Sequence, residues 1–215
     1  MLSTKKLLYI FIPALLIVGF AFFVQIIQYQ PLFPKVKNTE KTTSEFVIPL
    51  HPSDPIIGDV KSPITIVAFE DFSCPACIQQ SAMLKNLNER YPSKFKIVWK
   101  GLPVSEFPYP SLEAQKYGYC ANEQKRFADF QAGAFANSNT LSETILQTIV
   151  KDMALNEKNL SKCLNDPEVL SYIDNNKQIA QVLNIQSVPT FFIDNKQIKN
   201  PTSEYQWEDI LGLNQ

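Results

Sequence analysis

Histidine occurs once, at His51, and cysteine only four times in 215 residues. A tetrahedral zinc site normally takes four Cys or His ligands. Beyond Cys74 and Cys77 only Cys120, Cys163 and His51 remain, and they form no second close pair. Zinc stays open only as an alternative, and the pattern calls for no cofactor or metal. Four cysteines are too few for a disulfide-rich scaffold and enough for one catalytic and one structural pair. Surplus charge is also missing: 20 Lys and Arg face 21 Asp and Glu, a net charge of −1. That argues against a nucleic-acid partner reached by bulk electrostatics. No cysteine lies near the apolar N-terminus, which removes a lipoprotein anchor, and nothing suggests a dimerisation domain, so a monomer is expected. With 45% hydrophobic residues, the chain has material for one domain with a sizeable core plus an appendage.

The appendage is N-terminal. Lys5-Lys6 precedes an almost unbroken apolar run from Leu7 to Val24, followed by Ile26 and Ile27. About 20 apolar residues span a bilayer core, and the lysines favour a cytoplasmic start with the rest exported. Ala21-Phe22-Phe23 does not fit a small-x-small cleavage site. Residues 1–28 therefore read as an uncleaved signal anchor in the cell (inner) membrane, with bilayer contact through 7–27. A cleaved signal, leaving a soluble secreted or periplasmic protein, is the alternative. Residues 29–54, rich in Pro, Lys, Thr and Ser, read as a linker, with a terminal strand at Phe46-Val47-Ile48 as the competing reading and His51 as a surface residue.

The stretch that organises the rest is Ala68 to Cys77, a strand pattern running into Cys74-Pro75-Ala76-Cys77. Cysteines three apart on a first helical turn suit a reversible disulfide. Cys74, near the N-cap, gains thiolate character from free backbone N–H groups and the helix dipole, and Pro75 fits the first helical position. Cys77 sits deeper, as the resolving thiol. An inert structural disulfide is the bland alternative.

Ile64 to Phe69 reads as a buried strand, Pro75 to about Glu89 as a helix, and Phe95 to Trp99 as a second strand, giving a parallel βαβ unit. Helical patterns then fill about 105–186: Ser111–Asn122, Lys125–Asn137, a Thr140-x-x-Glu143 capping box, a segment from Asn156, and Asp166-Pro167 opening a long helix. Cys120 and Cys163 fall within this insertion. Two free thiols beside a redox dithiol in an exported protein are a liability, so a Cys120–Cys163 bridge is predicted, with two separate buried thiols as the alternative. Pro189 enters a strand pattern, which a cis Val188–Pro189 bond would accommodate. Ser203-x-x-Gln206 starts the last helix.

Several separated motifs resemble one family, the DsbA-like thiol:disulfide oxidoreductases of the thioredoxin superfamily. They are Ile57-Gly58-Asp59 with Ser62-Pro63-Ile64-Thr65-Ile66, Asp71-Phe72-Ser73-Cys74-Pro75-Ala76-Cys77, Cys120-Ala121-Asn122-Glu123-Gln124 with Phe127, and Val188-Pro189-Thr190-Phe191-Phe192-Ile193. The resemblance covers residues 55–215 and implies an α/β thioredoxin-like fold with an inserted helical subdomain. It implies an enzyme in which Cys74 attacks, Cys77 resolves, Pro75 and Ala76 tune the potential, and Val188 and Pro189 hold an extended peptide. It further implies an oxidase of exported polypeptides with a membrane redox partner; a reductase using the same site, or a redox-inactive tethered chaperone or binding module, are the alternatives. One position departs from the pattern: the family's buried acid six residues before the first cysteine is Ala68 here. Glu70 and Asp71 are expected to be solvated or capping groups rather than catalytic.

Overall fold

The computed structural model describes residue 13, residues 15–25 and residues 46–214. It divides into two units, one on each side of the boundary between residues 45 and 46. In the first unit, residues 15–25 are helical, with Leu15, Leu16, Ile17, Val18, Phe20, Phe22 and Phe23 exposed. The rest of the expected anchor and most of the expected linker lie outside the described residues. Among the described residues no helix is long and apolar enough to cross a membrane.

The second unit is built on a five-stranded sheet of order β1-β3-β2-β4-β5. Its strands are β1 (Ile56–Gly58), β2 (Ile64–Glu70), β3 (Phe95–Gly101), β4 (Thr190–Ile193) and β5 (Lys196–Ile198). β2 pairs parallel with β3, with Ala68 opposite Trp99 and Glu70 opposite Gly101. β4 runs antiparallel on the other side of β2, and β1 and β5 form antiparallel edges. A strand flanked on both sides and covered on both faces has to be apolar, and β2 is so from Ile66 to Phe69.

Alternation along β2 sends its side chains to two separate cores. Ile66 and Ala68 pack with Leu84 and Leu87 of α1 (Pro75–Arg90) and Trp207 of α7 (Glu204–Ile210). Val67 and Phe69 pack with Ile179 and Ala180 of α6 (Pro167–Val182). Gln80 of α1 accepts from Trp207 Nε1 at 2.8 Å and donates to Pro201 O at 2.6 Å, which joins the α1 and α7 layers.

Between β3 and β4 lie α2 (Ser111–Glu123), α3 (Phe127–Ala136), α4 (Glu143–Asp152), α5 (Glu157–Leu164) and α6. They enclose a third core with Phe72 and Trp99 inside it. Phe72 stacks on Trp99 at 5.0 Å and meets Phe130 edge-on at 5.4 Å. Gly118 makes this approach possible, since a Cβ there would lie 3.1 Å from the Phe72 ring. The helical insertion is thus packed directly against the residue two before Cys74.

Three local expectations need correction. The cap of α4 is Ser142, whose side chain accepts from Ile145 N, whereas the Thr140 hydroxyl bonds the Asn137 carbonyl; two neighbouring hydroxyl residues compete for one cap. Packing begins before residue 55: Ile48 is 3% exposed, and its N–H donates to Asn195 Oδ1 at 2.9 Å. His51 is half-buried, with its ring edge-on to Tyr172 at 5.4 Å and Nδ1 accepting from Ser53 N.

Candidate active site

Cys74 is the N-cap of α1. Its backbone is extended, its sulfur accepts from Cys77 N at 3.1 Å, and Pro75 follows as the first helical residue. Unpaired N–H groups and the positive end of the helix therefore converge on one sulfur. Cys74 is nearly buried at 9%, and Cys77 is fully buried one turn later. Pro75 and Ala76 between them are exposed.

The two thiols are pushed in opposite directions. The Cys77 thiol donating to the Cys74 sulfur, helped by the N–H groups of Cys77 and Ala76 against the cost of burial, lowers Cys74 from an ordinary 9.0 to about 7. Burial first, then the bond to Cys74 and the charge of Glu70, push Cys77 far up. One sulfur gains thiolate character near neutral pH and the other holds its proton.

The opposite wall comes from 114 residues further along the chain. The Val188 carbonyl lies 3.6 Å from Cys74 Sγ, and the Val188–Pro189 bond is cis. Asn200 Nδ2 donates to Pro189 O, and the Thr190 hydroxyl donates to Ser187 O, both at 2.7 Å, holding this loop. Val188 is half-buried and Pro189 buried.

Asp71 holds a third wall. Its Oδ1 accepts from Ser73 N at 2.9 Å. Its Oδ2 accepts from Val104 N at 2.8 Å, Ser105 N at 2.9 Å and Ser111 Oγ at 2.8 Å. A fully buried carboxylate is tolerated because these four donors satisfy it. They also pin the loop after β3, which exposes Val104, Phe107 and Tyr109.

The fold that carries this geometry has counterparts among known proteins. Residues 51–212 match the thioredoxin family, described simply as thioredoxin. The chain belongs to the thioredoxin family. Its fold is similar to that of solved DsbA-like proteins. A thioredoxin-like oxidoreductase from Silicibacter pomeroyi superposes with a TM-score of 0.67 at 22% identity, covering 76% of this chain and 93% of that one. The thiol-disulfide exchange protein alpha-DsbA2 from Wolbachia pipientis gives 0.68 at 20% identity, covering 76% and 88%. The catalytic domain of Proteus mirabilis ScsC gives 0.65 at 22%, covering 77% and 91%. Among curated proteins, the Na(+)/H(+) antiporter NhaA 3 of Salinispora tropica is 29% identical over 99 residues. That match takes in 45% of this chain and 15% of the antiporter, so the chain spans a small part of the curated relatives it matches.

In this thioredoxin-family protein Cys120 and Cys163 are joined by a disulfide, with Cα atoms 5.8 Å apart, and line a separate surface cavity with Tyr119 and Lys162. Cys74 and Cys77 are free thiols. Among the described residues no group of three or more His, Cys, Asp or Glu could hold a metal.

The reading of the two acids as solvated or capping groups needs correction. Asp71 caps from a buried position, but Glu70 is only 2% exposed, and among the described residues its Oε1 has no hydrogen-bond partner. Burial, followed by the nearby Cys74 charge, holds its carboxyl well above the usual range. Glu70 is two residues beyond Ala68 and so projects from the same face of β2, the face that meets α1. Strand parity counted forward from Ala68 was the signal that could have found it.

Proposed function

We propose that this protein is a membrane-tethered oxidase of cysteines in exported polypeptides. A substrate thiolate attacks the Cys74–Cys77 disulfide, a mixed disulfide forms at Cys74, and a second thiolate resolves it. The observation that carries the exchange chemistry is the Cys74 sulfur, stabilised at the N-terminus of α1 and facing the Val188 carbonyl at 3.6 Å. An extended peptide laid along Val188 meets the sulfur and the backbone of the cis-proline loop together. Exposed Val104, Phe107 and Tyr109 on the loop that Asp71 pins supply apolar contact suited to unfolded chain. The apolar run 7–27 and the exposed apolar helix at 15–25 support tethering in the cell membrane, with the domain on the periplasmic side and a membrane protein as its reoxidant.

The reductase reading has one observation in its favour. A first thiol near pH 7 matches reducing members of the superfamily better than strongly oxidising ones, whose thiol lies near 3.5. Equilibration of Cys74–Cys77 with glutathione decides the direction: a potential near about −120 mV supports the oxidase, and one near about −270 mV replaces it with a reductase. Cys74→Ser should abolish exchange in either case; full activity in that variant would sink the whole reading. Full-length protein that stays in the membrane pellet through alkaline carbonate washing supports the tether, and release as a soluble chain rejects it.

A further inference from the structure

A groove of about 430 Å³ opens between α1 and α3, and none of its walls is Cys74, Cys77, Val188 or Pro189. Ile57 and Ile97 line it from the sheet. Ala82 of α1 and Ala132 of α3 have side chains too short to fill the space between the two helices. Small-molecule sites are clefts of about 300–1,000 Å³ with mostly apolar walls and a few polar groups that fix the orientation of the ligand. The groove has the size and the walls, and it has the polar groups as well.

Two buried polar side chains belong to this lining. Glu70 is 2% exposed, and among the described residues its Oε1 has no hydrogen-bond partner. Gln131 of α3 is 7% exposed. A buried polar atom left unpaired is costly, and the groove is where a partner for Glu70 can enter. Burial holds the Glu70 carboxyl well above the usual carboxylate range, so nearer to neutral pH it presents an O–H donor rather than a charge. The Gln131 amide offers both a donor and an acceptor. Around the rim Lys85 and Glu89 of α1 and Asp129 of α3 set one positive group against two negative ones, which disfavours an anion. A cation would have to leave water for apolar walls. The complement of this lining is an uncharged molecule with one polar head that both accepts and donates.

We propose that the α1–α3 groove is a binding site for a small, uncharged, apolar molecule with a carboxamide head, anchored by Glu70 and Gln131. The Glu70 O–H donates to the carbonyl of the ligand, and the side-chain carbonyl of Gln131 accepts its N–H. The apolar ring or chain lies against Ile57 and Ile97. An ester of the same shape satisfies Glu70 alone and binds more weakly. A carboxylate meets the acidic rim, and an ammonium loses its hydration without gaining an ion pair. Binding makes no use of either thiol and is independent of the direction in which Cys74 and Cys77 exchange.

The test titrates full-length protein in lipid nanodiscs, against empty nanodiscs, with four probes that share one ring system: naphthylacetamide, its methyl ester analogue, naphthylacetate and naphthylethylamine. Binding is read by calorimetry and by saturation-transfer NMR. The amide should bind about tenfold or more tightly than either charged probe and about threefold more tightly than the ester. Glu70→Leu, which removes the donor, should weaken the amide about five- to tenfold, the worth of one buried hydrogen bond. Glu70→Gln, whose amide N–H still donates, should stay within about threefold of the wild type. Ala132→Trp, which fills the groove, should abolish binding; if that variant fails to fold, Ala82→Leu narrows the same space from α1. Tightest binding by the amine, lost in Glu70→Gln, overturns the uncharged class. Equal amide affinity in wild type and Glu70→Leu overturns the anchor, and full affinity in the folded groove-filling variant overturns the location. Binding of an extended apolar peptide but not of the amide overturns the small-molecule occupant, and no binding by any probe overturns the site.

Discussion

At the scale of single residues, the site works by making two chemically identical side chains unequal. Three positions separate Cys74 from Cys77, but one is a helix cap receiving N–H groups and the other is enclosed above Glu70. The consequence is measurable. Cys74 is lowered from 9.0 to about 7, so its alkylation rate should be flat above that pH and fall about tenfold per unit below it. The sign for stability follows: anion stabilisation supports the folded reduced protein fully above the unfolded thiol's value of about 9 and is lost as pH falls through about 7. Urea unfolding of the reduced protein against Cys74→Ser at several pH values checks this, and a difference that grows towards acid would contradict it. Cys74, Cys77 and Pro75 were legible as residues because spacing and capping are local rules. Glu70 was not, because the burial of a strand-end acid depends on α1 and α3 closing over it, and neither contact is written in the neighbouring sequence.

At the scale of elements, the helical insertion is held by its own staple and pressed on the site through Phe72. Cys120 and Cys163 close a loop of 43 residues across α2 and α5. The double variant Cys120→Ala/Cys163→Ala should lose roughly 4 kcal/mol in the chain-entropy description, read by urea midpoint. It should keep thiol exchange at Cys74, since neither residue lines that site; a loss of exchange with stability unchanged would assign the pair another role. The helices themselves were readable from apolar periodicity. The Ser142 cap was not, because Thr140 and Ser142 both offer a hydroxyl, and the Thr140 hydroxyl is spent on the Asn137 carbonyl. The loop that Asp71 organises was equally hidden: its four donors come from positions 73, 104, 105 and 111, a convergence that no window of sequence displays.

At the scale of the whole domain, the segment entering the fold is tied in by a charge. Lys100 of β3, with no exposed side chain, pairs with Asp54 at 2.6 Å. Asp54 also accepts from Tyr172 of α6 and from His51 N. Breaking a buried pair leaves an uncompensated ion, so Asp54→Asn should cost about 3–5 kcal/mol, measured by thermal or urea unfolding. A cost below about 1 kcal/mol would mean that water already reaches Lys100. The composition of residues 29–54 reads as linker because Pro, Lys and Thr dominate it, but burial of Ile48 and Asp54 is decided by partners at 100, 172 and 195. Sheet order likewise could not be read beyond the βαβ unit, since β4 reaches β2 only after the helical insertion.

That placement of β4 governs how the protein comes into being. β2 obtains one neighbour from Phe95–Gly101 and the other from Thr190–Ile193, and the wall facing Cys74 lies 114 residues beyond it. While the chain is being synthesised, the cysteine pair and the open edge of β2 are complete long before their covers exist. A chain stalled before residue 190 presents an unpaired apolar strand beside a bare dithiol, ready to crosslink or aggregate.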